Sequence, residues 1–143
     1  MATDNLTDDA LRQLLTSVRR IALVGASNKP ERPSNGVLRY LLRHGYQVVP
    51  VNPGLAGQEI HGQRVVATLA EAGPIDMVDV FRESAAAAGI AQQAVAAGAR
   101  ALWLQLGVIS DEARDIAAQA GLVFVQDRCP AIEIPRLGLA PVG

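Results

Sequence analysis

Apolar positions along this chain switch repeatedly between a helical period and short continuous runs. Leu11, Leu14, Leu15 and Val18 recur at i, i+3, i+4 and i+7, one face of an amphipathic helix over 8–18. Thr7 can cap it, and Asp8 and Asp9 suit its positive end. Ile21–Val24 is an unbroken apolar run that stops at Gly25. After a polar loop, Val37, Leu38, Leu41 and Leu42 return to helical spacing, which predicts a helix over 35–44, with Ser34 as N-cap and Gly45 just past the end. A second strand over 46–51 ends at Asn52-Pro53-Gly54. Residues 54–67 read as irregular, with a short extended piece near 64–67, and Thr68 can cap a single turn. A third strand spans 75–81; its two aspartates, Asp76 and Asp79, suggest the edge of a sheet. Ser84 opens an Ala-rich helix to Ala97, 101–105 is a fourth strand, Ser110 opens a helix to Ala120, and 122–126 is a fifth strand. The tail from Asp127, with Pro130 and Pro135, reads as irregular and packed over the sheet edge.

Strand and helix alternate, and the strands are continuously apolar rather than alternating. That pattern belongs to a parallel sheet covered on both faces. The expected fold is α/β: a Rossmann-like three-layer sandwich with a mostly parallel five-stranded sheet, helices on both faces and right-handed crossovers. The expected strand order is 3-2-1-4-5, with the switch point between the first and fourth strands. No linker or composition shift divides the chain, so residues 1–143 are read as one domain.

Composition narrows the function classes. Half of the residues are hydrophobic and the formal net charge is −1, which points to a globular core and away from nucleic acid. No apolar run approaches the roughly 18 residues of a membrane span. The acidic start M-A-T-D-N-L-T-D-D lacks the basic and apolar regions of a signal peptide, so a cytoplasmic protein is expected. A single cysteine, Cys129, excludes an internal disulfide framework.

The candidate chemistry lies between Ile21 and Ser34. A buried strand, a glycine turn and a helix start form an anion site, because the free N–H groups of the first turn and the helix dipole both favour negative charge. Lys29 and Arg32 add cations there. Ligands of such sheets bind at the carboxyl ends of the strands. Those ends carry Gly25, Ala26 and Ser27; Asn52 and Pro53; Phe81 and Arg82; Gln105, Leu106 and Gly107; and Asp127, Arg128 and Cys129. A dinucleotide turn needs G-x-G-x-x-G and an acid after the second strand, but Ser27, Pro30 and Asn52 stand at those places. A Walker A loop is absent. Lys29 and Glu31 read as solvated loop charges, Arg82 as a ligand contact or a partner of Asp127, His61 as a surface histidine, His44 as a side chain at its helix's negative end, and Trp103 as core. Cys129 reads as a buried thiol or, from its place on the rim, as a group near the thiol end of a ligand. No acid pair, triad or metal-ligand set is legible.

The segments V-G-A-S-N-K-P-E-R-P-S, Y-L-L-R-H-G-Y-Q-V-V-P-V-N-P, V-D-V-F-R, W-L-Q-L-G-V and Q-D-R-C-P together resemble the CoA-binding domain family, small stand-alone proteins similar to the N-terminal domain of the succinyl-CoA synthetase α subunit. The resemblance covers about 15 to 135. It implies coenzyme A or an acyl-CoA as ligand, with no nucleic-acid or membrane partner. It further implies that Gly25, Ala26, Ser27, Arg32 and Ser34 contact the CoA phosphates. Asn52, Pro53, Phe81 and Arg82 would line the nucleotide side, and Gln105 to Gly107 would lie near the pantetheine arm. The synthetase also has a second domain with a phosphorylated histidine, which has no counterpart here, so binding without catalysis is the expectation. The rival readings are a nucleotide-dependent oxidoreductase, an acyl-CoA-handling enzyme using Cys129, and an interaction module whose loop is only structural.

Overall fold

The computed structural model describes Asp4 and residues 6–143; the acidic start falls partly on residues 1–3 and 5, outside the described residues. Helix α1 (Asp8–Ser17) is capped by the Thr7 hydroxyl, which accepts from the Ala10 amide at 3.1 Å. Strand β1 (Arg20–Val24) follows, then α2 (Pro33–Arg43) and β2 (Gln47–Val51). A two-stranded antiparallel hairpin, β3 (Glu59–Ile60) and β4 (Gln63–Arg64), rises from the segment read as irregular. Its continuation meets β2 through a parallel bridge between Val51 and Val66. Strand β5 (Met77–Val80), helix α3 (Ala87–Ala96), β6 (Ala101–Leu104), α4 (Asp111–Gln119), β7 (Val123–Val125) and α5 (Pro130–Arg136) complete the chain.

The main sheet is parallel and ordered β2-β1-β5-β6-β7. The expected order placed the third strand outside the second; instead the chain crosses back over β1, and the switch point falls between β1 and β5. This also corrects the reading of Asp79 as an edge residue. It pairs with Leu23 on one side and Trp103 on the other, with no exposed surface. Asp76 lies just before β5, where its carboxylate accepts the Arg19 and Arg20 amides at 2.9 and 3.0 Å. Burial pushes its pKa up, but those two amides and Arg100 outweigh that and hold it below the usual range.

Alternation along each strand divides the core. Ile21, Leu23, Met77 and Trp103 bury one face under Leu11 and Leu15 of α1, Leu38 and Leu41 of α2 and Ile134 of α5. Ala22, Val24, Val78, Val80, Leu102 and Leu104 bury the other under Ala87, Ile90, Ala91 and Ala94 of α3 and Ala113 and Ala117 of α4. The small side chains of α3 and α4 let those helices pack closely against the sheet.

Three helix ends differ from expectation. Arg32, not Ser34, is the N-cap of α2; Pro33 takes the first helical position, where a missing N–H costs nothing, and Ser34 lies inside the helix and is buried. Ser84 does not cap α3: it starts a 3-10 turn, and its hydroxyl accepts the Ile109 amide at 3.0 Å. The tail is helical where irregular chain was expected; Pro130 stands at a first helical position, where proline is tolerated. Ser110 caps α4 as read, accepting the Ala113 amide at 3.0 Å.

Candidate functional site

The carboxyl ends of β1, β2 and β5 are tied into one rim. Gly25 has φ +92°, and a Cβ there would come within 2.7 Å of the Phe81 carbonyl oxygen, so only glycine lets β1 end so close to β5. The Gly25 and Ala26 amides both donate to the Val51 carbonyl, at 3.0 and 3.3 Å. Asn52 Nδ2 donates to the Ala26 carbonyl at 2.8 Å, and Asn52 Oδ1 accepts the Gly54 amide at 2.8 Å. Past Ala26 the loop folds on itself: Ser27 Oγ accepts the Lys29 amide at 3.1 Å, and Asn35 Nδ2 donates to the Ser27 carbonyl at 3.0 Å.

Two cavities open on this rim. The smaller, about 620 Å³, is bounded by Gly25, Ala26 and Ser27, by Lys29, Arg32 and Ser34 at the start of α2, and by Asn52, Phe81, Arg82 and Gln105. The larger, about 980 Å³, runs between Pro53, the segment 67–70 and α3. Gly25, Asn52 and Arg82 line both, so the two meet at the β1/β5 switch point. Volumes of this size match ordinary small-molecule sites.

Most residues singled out from the sequence therefore share one surface. Pro53 lines only the larger cavity, and Gly107 lines neither. The Gly107 amide donates to the Asp127 carboxylate at 2.8 Å. Arg82 pairs with Glu83 at 2.9 Å, so its expected partner Asp127 is engaged elsewhere. Arg32 and Lys29 are exposed and form no ion pair with a described residue, which leaves two cations beside the positive end of α2. Gln105 Oε1 is buried and has no hydrogen-bond partner among the described residues. Gln105 lines the smaller cavity, but this oxygen is turned away from its open surface.

Cys129 is buried at the start of α5 and lines neither cavity. Trp103 is core, as read, and its indole N–H donates to the Arg128 carbonyl at 2.8 Å. His44 serves the C-terminal tail: its Nε2 bonds the Ala140 carbonyl at 2.9 Å, and its ring stacks between Tyr40 and Tyr46. His61, read as a plain surface side chain, bonds Asn35 Oδ1 through Nε2 at 2.8 Å. Thr68 caps a short turn as read, accepting the Glu71 amide at 3.3 Å, but nothing in the sequence assigned residues 67–70 to the site; the Val51–Val66 bridge brings them to the rim. The described residues hold no His, Cys, Asp and Glu cluster suited to a metal, and no helix long and apolar enough to cross a membrane.

Residues 19–135 match the model of the CoA binding domain. The chain belongs to the CoA-binding domain family. Membership supports CoA binding in general. Across 120 residues it is 35% identical to the uncharacterized protein YneT of Bacillus subtilis (strain 168), spanning 83% of this chain and 87% of that one. A solved structure of a hypothetical protein from Pyrococcus horikoshii OT3 superposes with a TM-score of 0.90 at 40% identity, covering 96% of each chain. A Thermus thermophilus protein superposes at 0.87 with 38% identity, covering 92% of this chain and 99% of that one. The fold also recurs, at 22% identity and a TM-score of 0.66, in a dinucleotide-forming acetyl-coenzyme A synthetase from Ca. Korarchaeum cryptofilum, over 78% of this chain and 26% of that one.

Proposed function

We propose that this CoA-binding domain holds coenzyme A, free or acylated, along the joined cavities and carries out no reaction of its own. The observation that carries this reading is the meeting of both cavities at Gly25, Asn52 and Arg82, beside two cations without an ion pair among the described residues and the start of α2. The residues fit the ligand's chemistry. Phosphates suit the loop of Gly25, Ala26 and Ser27, with Arg32 and Ser34 at the helix start. The nucleotide suits Asn52, Pro53, Phe81 and Arg82. The pantetheine arm suits the wall formed by Gln105 and Leu106, near Gly107. Coenzyme A when bound supplies a thiol or thioester; the chain supplies binding and orientation. The burial of Cys129 away from both cavities counts against an enzyme that uses it, and the absence of an acid after β2 counts against a nicotinamide dinucleotide.

The test is a calorimetric and thermal-shift panel of CoA, acetyl-CoA, NAD, NADP and ATP on the full chain. CoA or acetyl-CoA should bind and stabilise, and NAD and NADP should do much less. Equal or stronger stabilisation by NAD or NADP would overturn the assignment.

A further inference from the structure

The turn of the β3–β4 hairpin consists of His61 and Gly62, with φ +50° and +79°. A two-residue turn with both values positive selects Asn, Asp or Gly at its first place, because other side chains crowd the backbone there. Histidine tolerates positive φ better than most side chains but is not the residue that this turn usually takes. Strain of this kind persists where the side chain serves something outside the turn.

The hydrogen bonds show what it reaches. His61 Nε2 lies 2.8 Å from Asn35 Oδ1, and Asn35 Nδ2 lies 3.0 Å from the Ser27 carbonyl. Because the Asn35 amide nitrogen is the donor to Ser27, its oxygen is the acceptor for the histidine, which fixes the His61 proton on Nε2. Asn35 is itself buried in the first turn of α2. A three-member chain therefore runs from the hairpin tip, through the helix start, to the backbone of the loop that bounds the smaller cavity. A second link, from Asn28 Nδ2 to Gln58 Oε1 at 3.5 Å, joins the same loop to the hairpin's base.

We infer that His61 is a positioning residue: through Asn35 it holds the loop around Ser27 and the start of α2 in the arrangement that receives the ligand's anionic groups. The choice of ligand rests on the coenzyme A reading above, whereas the bracing of the loop does not.

Two variants and two readouts test it. Glycine accepts φ +50° without strain, which offsets the loss of the bond to Asn35, so His61→Gly should stay folded with little change in thermal stability. The same variant should bind CoA about fivefold more weakly, the worth of one ordinary hydrogen bond, and its amides over 27–35 should exchange with solvent faster than in the wild type without ligand. His61→Gln, whose amide N–H can stand in for Nε2–H, should recover most of the affinity and slow the exchange again. Wild-type CoA affinity in His61→Gly, or a His61→Gln variant as weak as His61→Gly, overturns the inference. If the wild-type chain does not bind CoA, the coenzyme A reading fails instead. Hydrogen exchange then decides the bracing alone, and unchanged exchange in His61→Gly rejects it.

Discussion

Arg32 contributes its backbone to the cap of α2, and its guanidinium, without an ion pair among the described residues, lines the cavity mouth. A planar fork can bond two phosphate oxygens at once, which a lysine cannot reproduce. Arg32→Ala should weaken CoA roughly tenfold to a hundredfold, and Arg32→Lys should recover only part of that. Dephospho-CoA separates two versions of the contact. A mutant that no longer distinguishes it from CoA points to the 3′-phosphate; equal weakening of both points to the pyrophosphate. Wild-type affinity in Arg32→Ala, by calorimetry, removes the residue from the site. Asp79 acts on the fold instead. Burial raises its pKa well above the ordinary 3.8, and among the described residues both its oxygens lack a partner and no cation offsets the cost of charge. Below that ordinary value the carboxyl is protonated in the folded and unfolded chain alike. As the pH rises, the unfolded chain releases the proton while the folded chain retains it, so stability falls until the folded value is passed. Asp79→Asn should remove this slope, and its stability relative to wild type should therefore improve between pH 4 and pH 8. Parallel urea-stability profiles for the two proteins would reject the assignment.

At the level of elements, hydrophobic period and cap chemistry located most helices and strands, because each depends on neighbours in sequence. α1 and α4 show this directly: their caps, Thr7 and Ser110, bond the amides that local rules require. α5 escaped because its prolines read as breakers, and its reason for forming is not local. Glu133 Oε1 accepts from Arg128 at 3.2 Å and from Arg136 at 2.8 Å, and Arg136 also reaches Asp8 of α1 at 2.9 Å. These bonds join α5 to the loop after β7 and to the first helix. Glu133 is buried, so Glu133→Ala should cost about 1 kcal/mol: its bonds to Arg128 and Arg136 are lost, while those arginines keep Asp4 and Asp8 as partners. Chemical denaturation should show a lower midpoint with an unchanged slope, as expected for lost stability without a change in the surface exposed. An unchanged midpoint would mean that packing alone, through Ile134, holds the helix.

For the whole molecule, binding at a rim built from several strand ends should stabilise the domain globally. A ligand that binds only the folded chain adds RT ln(1 + [L]/Kd), about 2.7 kcal/mol at a hundredfold excess over Kd. The CoA-induced rise in melting temperature should follow this logarithm across a concentration series, and a flat response would exclude binding to the folded state. The fold class was legible from residues alone. Alternating β and α segments, continuously apolar strands and a glycine after β1 suffice for a parallel, doubly covered sheet with its ligand edge at the carboxyl ends. The set of loops that reaches that edge was legible too, because every parallel strand delivers its following loop to the same side. Strand order was not. Both orders satisfy handedness and patterning, and only packing places β5 beside β1, buries Asp79 at the centre and opens the rim next to Gly25. The hairpin tip and the segment 67–70 likewise reach the cavities through pairings between distant residues. Local sequence determines where the chain turns and which face it buries; which strands become neighbours depends on contacts between segments far apart in the chain, and those exist only in the folded molecule.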